Sequence, residues 1–143
     1  MDEIVPMLIA GVLGPSANDP QRSQVVAVRV ATSCRDNSAA AIATAVTELV
    51  ETFHRRNDCG ASSVRVVIFS ATQDVTAAKP AAAARMAGWQ HAQMLCLAEM
   101  PTADDLPLCI RALLLVERGV GADPLKPLYL NGTQTLRPDL SPG

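Results

Sequence analysis

Four arginines and one glutamate stand where a folding chain ordinarily places apolar side chains. Arg29 interrupts VVAVRVATS, Arg85 ends an alanine run, Arg111 interrupts CIRALLLV, Arg137 follows TQTL, and Glu99 closes LCLAE. The runs around LCLA and CIRALLLV read as buried strands, and a charge buried without a partner is costly, so each of these residues needs a reason. The four guanidinium groups outnumber the carboxylates placed likewise, of which Glu99 is the clearest, so pairing among themselves does not balance them. Arginine presents a planar fork matched to carboxylates, and the surplus points to a small anionic ligand with more than one carboxylate. A plainer reading stands beside this one. An arginine in a strand often snorkels to solvent or forms a structural ion pair, and Glu99 at a strand end can be solvated. Cys96 also fits as a small buried hydrophobe, and Tyr129 as a sheet residue with its hydroxyl at the rim.

Other chemistries lack their residues. The sequence holds no GxSxG, P-loop, GxGxxG or HExxH pattern, and no serine or cysteine is spaced with a histidine base. His54 and His91 have no suitably spaced partner and are expected at the surface. Cys34, Cys59, Cys96 and Cys109 show neither CxxC spacing nor a His/Cys cluster, so they read as free thiols in a reducing compartment, with no structural metal. If the chain is an enzyme, it works by holding and polarising its substrate.

The elements that must position these groups follow from pattern. VVAVRVATS (25–33) is β-branched and short, and predicts a first strand. Asp36, Asn37 and Ser38 are N-cap candidates for a helix carrying Ile42, Val46, Leu49 and Phe53 at helical spacing, which should stop near Asn57 to Gly60. VRVVIFSA (64–71) predicts a second strand, and Pro80 opens a short helix through Ala87 with Gly88 as its C-terminal cap. QMLCLA and CIRALLLVE predict strands three and four across the link PTADDLPL, and Asn131-Gly132 predicts a closing hairpin. The order is that of one α/β or α+β domain built largely on a single sheet.

Composition sets outer limits. A chain of 143 residues is most simply one domain, and 49% hydrophobic against 18% charged residues is ordinary for a folded protein. Aromatics are 3%, so the core is aliphatic; with a formal net charge of -2 and no basic run beyond Arg55-Arg56, nucleic acid is not an expected partner. The apolar MLIAGVLG near the N-terminus is too short to span a membrane, and Asp2 and Glu3 stand where a signal peptide has positive charge. Residues 1–23 read as an N-terminal extension to a domain over 24–143 whose tail begins at about 138, with the cytoplasm as the expected location.

Several segments in order carry a resemblance. SATQDVTAAKPAAAARMAGWQ, LCLAEM, CIRALLLV, YL and LRPDLS, with VRVATS ahead of them, are similar to the trimeric Bacillus-type monofunctional chorismate mutases over about residues 26–141. The resemblance implies an α+β fold: a single compact domain with a mixed β-sheet and two main helices, assembling as a pseudo-α/β-barrel homotrimer with active sites at subunit interfaces. It implies conversion of chorismate to prephenate in aromatic amino-acid biosynthesis, without cofactor or metal. It implies catalytic roles for Arg29, Glu99 and Arg111, Arg29 at a substrate carboxylate and Arg111 facing the ether oxygen. Substrate binding falls to Arg85 from the neighbouring subunit, Cys96 with Glu99 near the ring hydroxyl, Tyr129 at a carboxylate, Leu136 as an apolar wall and Arg137 in the tail. The chain departs from the family at Lys79, where phenylalanine usually precedes the proline, at Ala82, at Val30 in place of glycine, and in the link PTADDLP. These departures keep a second reading open, a catalytically impaired trimeric binding protein for a small dicarboxylate. A third reading is an interaction module acting through residues 1–23.

Overall fold

A computed structural model of the chain describes residues 22–137, so most of the expected N-terminal extension and the tail from about 138 lie outside the described residues. Within that range alternating apolar residues build a five-stranded mixed sheet. The strands are β1 (Ser23–Ser33), β2 (Val64–Ala71), β3 (Gln93–Ala98), β4 (Cys109–Gly119) and β5 (Leu128–Tyr129), in the spatial order β3-β2-β4-β1-β5. β4 runs antiparallel to both β1 and β2, whereas β3 joins β2, and β5 joins β1, in parallel.

Helix α1 (Ala39–Arg56) starts where Ser38 accepts a hydrogen bond from the Ala41 N–H, and ends as the Asn57 N–H returns to the Phe53 carbonyl. Its apolar stripe, Ile42, Val46, Leu49, Val50 and Phe53, is buried against Val28, Val30, Val67, Phe69, Leu114 and Val116 of the sheet. The second helix, α2 (Pro80–Ala84), packs on the same side through Ala81 and Ala84. Its helical backbone continues past Ala84 to Ala87, and Gly88 interrupts it as expected. It widens at Arg85 into a single π-turn, Arg85–Trp89, that passes through Gly88 at φ 140, a conformation open to glycine. Trp89, fully buried, then seats this turn in the core.

Two expectations are corrected. The runs LCLA and CIRALLLV are not buried on both faces: β3 is an edge strand with Leu95 61% and Leu97 51% exposed, and in β4 Leu113 and Arg111 face outward. The helices cover one face of the sheet, and the opposite face is apolar but open. Nor does Asn131-Gly132 close a hairpin. Both residues have positive φ, 54 and 88, as a hairpin turn would require. The chain instead turns into a 3-10 helix, Thr133–Leu136, because the Thr133 hydroxyl bonds back to the Leu130 carbonyl and the Asn131 amide to Thr32 and Glu48.

Candidate active site

Register decides which of the chemical residues meet. Arg29 is paired with Leu113 and Ala31 with Arg111, so the two arginines are diagonal neighbours on the open face, about 7–8 Å apart at the backbone. Parallel pairing of Ala31 with Tyr129 brings the tyrosine of β5 to the same face, and antiparallel pairing of Ser70 with Arg111 brings in Ser70 from β2. Glu99 lies one residue beyond the end of β3, its N–H still donating to the Ala71 carbonyl at 2.9 Å. That extra step turns its carboxylate toward the open face. There Oε1 accepts from the Ser70 hydroxyl at 2.8 Å and meets the Arg111 Nε at 3.1 Å.

The Glu99–Arg111 pair is half exposed, with side-chain exposures of 22% and 45%. Such a pair stabilises a fold by no more than about 1 kcal/mol, so its importance is orientation: the carboxylate holds the guanidinium through Nε and aims it over the open face. Arg29 has no ion-pair partner among the described residues. Two cations set diagonally on one face, one of them unpaired, make an anion-accepting surface. Beneath Arg111 the Cys109 thiol is buried, which pushes its pKa up, with the arginine opposing the shift.

The remaining expected residues fall in different places. Tyr129 is 8% exposed, Leu136 is half-buried at the end of the 3-10 helix, and Arg137, half-buried, follows it. Cys96 is paired with Phe69, which puts its thiol on the helix side of the sheet, against the core. Arg85 opens the π-turn in the helix layer, exposed and without an ion pair among the described residues. Within one chain, then, Arg29, Arg111, Glu99 and Tyr129 come together, and Cys96 and Arg85 do not join them.

Two residues went unseen in the sequence. Ser70 sits in a strand where serine carries no signal, and its role depends on a contact 29 residues away. His54, expected at the surface, is half-buried: its Nε2 accepts from the Trp89 Nε1–H at 2.8 Å, and its Nδ1 faces the Cys59 carbonyl at 2.8 Å. The partners come from the π-turn and from the loop after α1, which sequence spacing cannot bring together.

Residues 25–140 match the family model for chorismate mutase type I. The chain belongs to the chorismate mutase type I family. Among relatives, it is 33% identical over 115 residues to the chorismate mutase AroH of Bacillus subtilis, covering 80% of this chain and 91% of that one. It is 40% identical over 74 residues to the AroH of Thermus thermophilus, covering 52% and 61%. A chorismate mutase from Clostridium thermocellum has the same fold, with a TM-score of 0.69 and 30% identity over 77% of this chain and 98% of that one. Arg29, Glu99 and Arg111, the three residues expected to be catalytic, lie on the same open face of the sheet.

Proposed function

We infer that this protein is a chorismate mutase, an isomerase converting chorismate to prephenate in aromatic amino-acid biosynthesis. The observation that carries the reading is the convergence of Arg29, the Glu99–Arg111 pair and Tyr129 on one face of the sheet. Chorismate is a dianion, and electron density grows on its ether oxygen as the carbon–oxygen bond breaks. A guanidinium already aimed at that oxygen, as Glu99 aims Arg111, stabilises the transition state more than the ground state, which is what raises the rate. Arg29 and Tyr129 hold the carboxylates so that the enolpyruvyl group lies over the ring. Glu99 accepts from the ring hydroxyl with its remaining lone pairs. Leu136 and Arg137, at the end of the 3-10 helix after β5, complete the substrate contacts we propose, whereas Cys96, its thiol on the helix side of the sheet, does not face the ring from this side.

The assembly we propose is a homotrimer with the active sites between subunits. In one chain the cluster lies on an open sheet face rather than in an enclosed pocket, and Leu95, Leu97, Leu113 and Val25 around it are exposed. A neighbouring subunit covering this face supplies both the wall and Arg85. Of the departures from the family, Val30 points into the helix-side core at 1% exposure, Lys79 is the N-cap residue of α2 and Ala82 lies on that helix, while the link PTADDLP follows closely on Glu99. The presence of Arg29, Glu99 and Arg111 on one open face favours catalysis over the impaired binding protein. No helix among the described residues is long and apolar enough to cross a membrane, and the four cysteines are free thiols, which supports our assignment to the cytoplasm.

The test is the loss of chorismate absorbance with purified protein, prephenate being identified as product, in the presence and absence of EDTA. Conversion that survives the chelator is the expected result. Chorismate binding without conversion would transfer the assignment to the binding-protein reading.

A further inference from the structure

The segment that carries Arg85 is gripped at both ends by side chains from the two ends of one helix. Before it, Asn37, beside the N-cap of α1, accepts from the Thr76 and Ala77 N–H groups through Oδ1, both at 2.9 Å, and donates through Nδ2 to the Thr76 hydroxyl at 2.8 Å. After it, His54 in the last turn of α1 accepts from the Trp89 indole at 2.8 Å. An indole nitrogen can only donate, so Nε2 is the bare nitrogen, and Nδ1 carries the proton that goes to the Cys59 carbonyl. Trp89 is packed edge-on against Phe53 and His54 and has no exposure. Between these grips the backbone passes through α2 and the π-turn, whose Gly88 at φ 140 is free to adopt other conformations.

Arg85, the first residue of that turn, has no ion pair among the described residues to fix its side chain, so its height above the helix layer is set by its backbone. We propose that Asn37 and His54 are positioning residues that set Arg85 for the substrate carboxylate in the neighbouring subunit's site. The proposal rests on the reading of Arg85 as a substrate-binding residue. An error of 1 Å in such a group costs up to about 100-fold, so the two grips act on substrate binding while touching no substrate themselves.

The test compares R85A, H54F, H54Q, N37A and the double variant R85A/H54F by KM and kcat for chorismate, thermal melting and the emission of Trp89, the chain's single tryptophan. H54F should raise KM about tenfold with kcat nearly unchanged, as expected when ground-state and transition-state binding are lost equally. H54Q keeps an acceptor for the indole and should return KM to within about twofold of the parent. N37A, at an exposed position, should raise KM in the same direction and carries the test if H54F does not fold. The double variant should add nothing to R85A, because the group being positioned is already gone. Trp89 emission should change in H54F and be unaltered in R85A. An effect of R85A on KM with none from H54F or N37A, even at lowered melting temperature, would overturn the positioning role alone. A silent R85A would overturn the assignment of Arg85, and the proposal with it.

Discussion

Arg111 is held by a carboxylate that the sequence places twelve residues earlier and the fold places 3.1 Å away. Replacing it with alanine should lower kcat by at least about 100-fold with the oligomer intact, since one preorganised donor to developing charge is typically worth 10²–10³. Its replacement by neutral, isosteric citrulline separates charge from shape: near-normal turnover there would defeat the electrostatic account. Ser70→Ala removes the hydroxyl that steadies Glu99, and should cost a few-fold in kcat rather than hundreds, because the Arg111 contact survives. Arg29, Glu99 and Arg111 were legible in the sequence because a charge inside an apolar run is conspicuous whatever the register. Ser70 was not, since only the antiparallel pairing of β2 with β4 gives it meaning. The side on which Cys96 points depends on the register too, and the pairing with Phe69 decides it.

Strands and helices were read nearly to their ends because each has a single uninterrupted periodicity. The misreadings cluster where local signals compete with tertiary contacts. Asn131-Gly132 adopts the backbone a hairpin needs, but the strand that should follow finds its hydroxyl captured by Leu130. Gly88 does interrupt the helix as expected, and what the sequence did not show is the π-turn that leads into it. Gly88→Ala meets no clash, its Cβ lying 3.7 Å from that of Ala61, so its cost is that of the backbone conformation, about 1–3 kcal/mol, read as a lowered urea midpoint. The loop from β2 to α2 carries a pH dependence. Asp74 accepts from the Thr72 hydroxyl at 2.5 Å and the Leu108 N–H at 2.8 Å, and these bonds, Thr72 foremost, hold its carboxyl below the ordinary value of 3.8. A carboxyl lowered in the folded state stabilises it at pH values above that ordinary value, and the contribution is lost as pH falls through the lowered one. The stability difference between the parent and Asp74→Asn should therefore be visible by denaturant titration at pH 6 and shrink toward pH 3.

At the scale of the whole molecule the open sheet face is the dominant feature. A lone subunit exposes Leu95, Leu97 and Val25 beside its cations, a surface that suits association with further copies better than solvent. If the proposed trimer forms through this face, Leu97→Lys should shift sedimentation from that trimer toward monomer and remove activity in proportion, while the helix content seen by circular dichroism remains. Loss of activity in a trimer of normal size would count against the interface location of the sites. None of this was legible in the sequence as geometry, because an apolar run reads the same whether its second cover is a helix or another subunit.

The sheet order has a consequence for synthesis. β1 is the first strand among the described residues, yet both of its neighbours, β4 and β5, come from much later in the chain. At about 5–20 residues per second β1 leaves the ribosome on the order of ten seconds before either can pair with it. During that interval its edges, valines and Arg29 lack their sheet partners, and among the described residues α1 is the next element available to shield them. Folding of this enzyme is therefore gated by its last strands, and a stalled or truncated chain ending before Cys109 exposes an unpaired strand to aggregation.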